Sequence, residues 1–139
     1  MMISASALTA ERTRMNLIAS NLANANSTRT PEGGPYKRKD AVFASMSMEN
    51  SFPSVLDKRG QSGAKGVEVM EITEDRSPPR LQYEPGHPDA NAQGYVAFPN
   101  VNVVEEMADM ISATRAYEAN VTAAKASMSI QMKALEIGR

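Results

Sequence analysis

The chain has no cysteine and no tryptophan, a single histidine, and few aromatic residues of any kind. Without cysteine there are no disulfides, no thiolate nucleophile and no cysteine-ligated metal, which suits either a reducing cytoplasm or a chain that passes outward unfolded. With His87 alone there is no histidine pair for a metal, and no Ser-His-Asp arrangement can be assigned; in "EPGHPD" it reads as a turn residue. Aromatics make up 5% of the chain against ten methionines, and mean hydropathy is −0.39, so the bulky anchors of a compact core are scarce. Such a composition suits a helix-lined assembly better. Fifteen basic residues against sixteen acidic ones show no excess of positive charge, and nothing marks a nucleic-acid partner or an anionic surface. No run approaches the roughly 18 apolar residues of a membrane span. "MMISASALTAERTRM" lacks a basic region followed by an apolar one, so if the chain leaves the cytoplasm it is expected to do so without a cleaved signal peptide.

What is present divides into three parts. Residues 3 to 27 predict a helix, because Leu8, Met15, Ile18, Leu22 and Ala25 fall in a stripe roughly 100° wide. Glu11 interrupts that stripe, and Leu17 lies opposite it near Ala10 and Asn24. From Thr28 to Asn102 nearly all the glycine and proline occurs, punctuating short segments. "VEVMEI" (67–72), "RLQY" (80–83) and "GYVAF" (94–98) have the β-branched and aromatic content of strands, and 44–66 reads as an extended loop. At 103–139 a second helix is expected, with Asn102 as N-cap and Glu105 three residues on. The expected fold is α+β. Long N- and C-terminal helices (1–28 and 103–139) form a coiled-coil core domain, and 29–102 forms a small β-rich middle domain.

Steps of four and three from Val103 give Met107, Met110, Thr114, Tyr117, Val121, Ala124, Met128, Gln131 and Leu135, a heptad seam expected to face Leu8, Met15, Ile18 and Leu22. Ser112, Ala116, Ala119, Ala123, Ala126 and Ala134 form a second band where a plain surface helix would carry Glu and Lys. Small residues there let another helix approach closely, so contact on at least two sides is expected. The paired helices are thus expected to pack side by side with copies of themselves, ordering fully only on assembly. Three asparagines stand out near the end of the first helix, where amides compete with the backbone. Asn26, with Ser27 and Thr28, is read as the helix terminator. Asn21 and Asn24 are read as donors to helices of neighbouring chains.

"RMNLIASNLANANSTRT" (14–30) resembles the N-terminal signature shared by bacterial flagellar rod and hook proteins, the axial family. "GGPYKRK" (33–39), "SPPRLQYEPGHPDANAQGYVAFPNVNVVEEMADMISATRAYEANVTA" (77–123) and "KALEIGR" (133–139) extend the resemblance to well over half the chain and narrow it to rod members. Ala25 stands where a bulkier aliphatic residue is more usual. The resemblance implies a non-enzymatic subunit of the proximal rod, with terminal helices lining the tube and the middle domain outside. It implies a place in the basal body, in the periplasm, and export unfolded through the flagellar type III apparatus. The partners it implies are further copies, other rod proteins and the ring-to-rod junction protein.

Other signals have plainer readings. Glu105, Glu106 and Asp109 in the first turns of a helix are explained by its dipole better than by metal or acid–base work. "YKRKD" (36–40) reads as a solvated strand or loop, and "GAKG" (63–66) lacks the spacing of a phosphate loop. No nucleophile, base and pocket can be named together, and no cofactor is expected. Two alternatives to the rod subunit stay open: another axial component, or a secreted coiled-coil chaperone or effector-like binding module.

Overall fold

The computed structural model describes residues 2–47 and 65–137. Its elements are helix α1 (Met2–Ala23), strands β1 (Lys39–Ser47), β2 (Lys65–Glu74), β3 (Arg80–Tyr83) and β4 (Tyr95–Phe98), and helix α2 (Val103–Ile137). The α+β class is as expected, with two long helices flanking short antiparallel strands.

The first helix stops earlier than its periodicity suggests. Asn24 Nδ2 folds back to the Ser20 carbonyl at 2.9 Å, while Asn24 Oδ1 accepts from the Ser27 hydroxyl at 3.1 Å. The Ser27 amide also donates to the Asn24 carbonyl. Local bonds of this kind offer the backbone an exit from the helix. Asn24, not Asn26, is therefore the terminator, with one amide N–H and one carbonyl lone pair used inside its own turn.

Strand β1 is absent from the sequence expectations. "KDAVFASMS" alternates too weakly to announce itself, and it forms because β2 pairs with it antiparallel from Lys39↔Glu74 to Ser47↔Lys65. A bulge lets the register shift between Val42 and Phe43. Residues 44–47 and 65–66 are therefore strand rather than loop; the rest of the expected loop lies outside the described residues. The β1–β2 pair packs on α1, and the Val67 amide donates to Ser6 Oγ at 3.2 Å.

Strands β3 and β4 form a separate antiparallel pair, Arg80↔Phe98 to Tyr83↔Tyr95, with the two tyrosine rings edge to face at 5.3 Å. His87 sits in the connecting loop, its Nδ1 accepting from the Asp89 amide, as befits a turn residue. Gly94 closes the loop at φ +82°, and a Cβ there would lie 2.9 Å from Tyr83 Cε2. That is why β4 begins at Tyr95, one residue later than expected.

Helices α1 and α2 run antiparallel: Asn21 reaches Glu106, Arg14 pairs with Asp109, and Met15 Sδ accepts from Thr114 further along. Asn102 Oδ1 accepts from the Val104 amide and so caps α2. At 22 and 35 residues the helices differ in length by about 20 Å at 1.5 Å per residue. Ser127 is the last half-buried residue of α2, and every residue from Met128 to Ile137 is exposed. The buried apolar set is small: Ala10, Ile18, Ala25, Val96, Phe98, Val101 and Ala113.

Candidate functional site

The most heavily bonded place among the described residues is a buried polar cluster where α1, the entry to β1 and the first turns of α2 meet. Asn21 is 1% exposed and uses its amide in full. Nδ2 donates to the Lys39 carbonyl at 2.9 Å and to Glu106 Oε2 at 3.1 Å; Oδ1 accepts from the Lys39 amide at 2.9 Å and from the Tyr36 hydroxyl at 3.0 Å. Two donors and two lone pairs are all that an asparagine side chain has. The Tyr36 hydroxyl also lies 3.3 Å from Ser20 Oγ.

Glu106, equally buried, takes its other oxygen to Arg38 Nε. The Arg38 guanidinium continues to Asp40 Oδ2 at 3.4 Å and Asp109 Oδ2 at 3.8 Å, and Arg14 reaches the other oxygen of Asp109 at 3.9 Å. Burial works to lower the Arg38 pKa, but the Glu106 hydrogen bond and charge, with Asp40 and Glu105, outweigh it and hold Arg38 above its ordinary value. A buried carboxylate is tolerable only when paired and hydrogen-bonded, and both Glu106 oxygens are. Removing one partner of a buried pair costs roughly 3–5 kcal/mol.

Glu11 is the counter-example. Its Oε2 is buried and, among the described residues, has no hydrogen-bond partner. It stands on the same side of α1 as Ile18 and Arg14, which the 3.6-residue period places toward α2. An unsatisfied buried acceptor costs about 1–3 kcal/mol.

The expected interface residues fall into three groups. Ile18 and Asn21 are buried. Leu8, Met15, Leu17, Leu22 and Asn24 on α1 or its end, with Met110, Ala116, Tyr117 and Val121 on α2, are half-buried. Met107, Ala119, Ala123, Met128 and Leu135 are exposed in the single chain. The stripe that α2 turns to α1 is Glu106, Asp109, Met110, Ala113, Ala116, Tyr117, Asn120, Val121, Ala124 and Ser127, since among the described residues α1 is the only helix or strand on which α2 packs. The heptad seam expected to meet α1 is thus met only in part: Met110, Tyr117, Val121 and Ala124 lie on the inner stripe. Its members Met107, Thr114, Met128 and Leu135 stay exposed, and Ala116 of the small-residue band lies on the inner side instead.

Asn21 also needs correction: its hydrogen bonds are made within one chain. Tyr36, Arg38 and Glu106 do not stand out in the sequence, where the helix dipole accounts for Glu106 and a solvated run for Arg38. The available signal is a pair of opposite-sign runs, "YKRKD" and "VEEMAD", and nothing in either says that they meet. The cluster's bonds hold α1, the entry to β1 and α2 together, with Asn21 and both Glu106 oxygens fully engaged. Among the described residues no group of three or more His, Asp or Glu is arranged to hold a metal, and no helix is long and apolar enough to cross a membrane.

Comparison with known proteins gives the following. A family model described as "Flagella basal body rod protein" matches residues 1–29, which include α1, and one described as "Flagellar basal body rod FlgEFG protein C-terminal" matches 92–137, which include β4 and α2. "Flagellar basal-body rod protein FlgC" of Bacillus subtilis (strain 168) is 50% identical over 145 residues, covering 99% of this chain and 95% of the relative. The protein of the same name from Borreliella burgdorferi is 44% identical over 97% of this chain and 93% of its own length. That of Escherichia coli O157:H7 is 43% identical over 99% and 94%.

Proposed function

The chain belongs to the FlgC family of flagellar basal-body rod proteins, and from that membership we propose that it is a structural subunit of the bacterial flagellar rod. The observation that carries the reading is identity of 50% along nearly the whole of both chains to a protein of that name. Its finer form is a non-enzymatic subunit of the proximal rod in the periplasm. There it packs against copies of itself, other rod proteins and the ring-to-rod junction protein, passes torque onward and walls part of the export channel.

Several features support that finer form. The absence of cysteine suits a chain that leaves the cytoplasm unfolded through the flagellar type III export apparatus. Exposed large apolar side chains run along α2 from Val104 (76%) through Met107 and Ile111 to Met128, Ile130, Met132, Leu135 and Ile137 (87%), more than a solitary chain would leave in water. We assign the outward part of the seam (Met107, Met128, Leu135) and the exposed small residues Ala119 and Ala123 to helices of neighbouring subunits. The terminal helices then form the core domain and 29–102 the outer one.

The test is to replace the corresponding rod gene by this one in a flagellated host, isolate basal bodies and image them by cryo-electron microscopy. Density for α1 and α2 in the proximal rod wall is expected. Motile cells whose basal bodies lack the chain would overturn the reading.

A further inference from the structure

Among the described residues the β1–β2 pair packs on α1, and α2 packs on α1, but no strand packs on α2. Helix α1 is therefore an axle shared by two bodies. The hairpin is held to α1 at two places, Asn21 to Lys39 and Ser6 to Val67, and α2 is held to α1 by Arg14 to Asp109. A bond made directly from the entry of β1 to α2 therefore adds a restraint on the angle between the two bodies.

Among the described residues, the hydrogen bonds and ion pairs that reach α2 from residues 28–98 all come from one side chain, Arg38, to Glu106 and Asp109. Asn21, on the axle itself, bonds both to the β1 backbone at Lys39 and to Glu106. Backbone bonds fix where β1 begins relative to α1, and the planar fork of arginine fixes direction as well as distance. The covalent connection from β2 to α2 runs through residues 75–102, of which Val96, Phe98, Pro99 and Val101 are buried.

We propose that Arg38, seated by Asn21 and Glu106, is a rotational joint that fixes the hairpin against α2 around α1. Arg38 is a positioning residue: it acts on the angle between two bodies and leaves the pairing of α1 with α2 to their own packing. Resting on the rod reading, the joint makes the helical wall and the outer region turn as one piece. Its existence in the isolated chain does not depend on that reading.

The chain has no cysteine, so two introduced cysteines carry spin labels without interference. Glu68 on β2, Ser112 on α2 and Arg12 on α1 are exposed sites. Double electron–electron resonance on the full chain labelled at 68 and 112 reads the hairpin against α2; labels at 12 and 112 read α1 against α2. Arg38→Ala is expected to widen the 68/112 distance distribution at least twofold and to leave 12/112 unchanged. Arg38→Lys, which keeps the charge without the fork, is expected to widen it by an intermediate amount and serves as the deciding variant if Arg38→Ala loses its helical circular dichroism. An unchanged 68/112 width, equal widening of both pairs, or a 68/112 distribution already broad in the wild type would overturn the joint. Failure of the chain to enter basal bodies would overturn the rod reading alone.

Discussion

At Asn21 a single amide determines how three segments meet. Asn21→Ala leaves the Lys39 amide and one Glu106 oxygen without their partner in a buried place, so it should lower the stability of the isolated chain by about 1–3 kcal/mol in urea denaturation. A loss confined to assembled rods would show that the cluster is not formed in the monomer. Asn24→Ala removes only local bonds at a half-buried helix end and should cost about 1 kcal/mol or less. Glu11 points the other way. Glu11→Met keeps a good helix former and removes a buried oxygen with no partner among the described residues, so the same measurement should show a gain of about 1–2 kcal/mol. No gain would mean that the carboxylate is hydrated or paired in solution.

Among the elements, the β3–β4 hairpin depends on one backbone position. Gly94→Ala puts a side chain at positive φ and within clashing distance of Tyr83, and should cost about 1–2 kcal/mol. The ring-current shifts that Tyr83 and Tyr95 impose on each other in the aromatic NMR spectrum should collapse with it. On α2 the two faces should separate cleanly. Val121→Asp introduces a charge into the half-buried stripe against α1 and should destabilise the monomer by more than about 1 kcal/mol. Ala119→Leu, on an exposed face, should leave monomer stability within about 0.5 kcal/mol while blocking incorporation into basal bodies. Normal swimming in the Ala119→Leu strain would remove that face from the interface.

For the whole molecule, the shape is a long helix overhanging a shorter one. The ten residues from Met128 to Ile137 extend about 15 Å beyond the last half-buried position, apolar on several sides and unsupported by the other described residues. Deleting residues 128–139 should therefore leave the stability of the monomer in urea unchanged within about 0.5 kcal/mol. Export should continue and rod assembly should fail, read as cells with the chain outside the cytoplasm and no rod beyond it. A large fall in monomer stability would show that the overhang folds back on its own chain.

The sequence by itself determined the element types, because helix and strand periods, caps and glycine turns are written in neighbouring residues: both long helices, the Asn102 cap, three of the four strands among the described residues and the turn around His87 were legible. So was the membership of the axial family. Only the tertiary structure decided which face of α2 meets α1. A heptad seam records that a stripe is apolar, not which partner covers it, and here the intrachain partner takes the small residues beside Glu106 and Ala113 and leaves half the seam outward. Strand β1 and the Asn21–Arg38–Glu106 cluster were likewise invisible in advance. A weakly patterned strand is stabilised by its partner, and residues 68 and 85 positions apart acquire a shared role only when the fold brings them within a hydrogen bond.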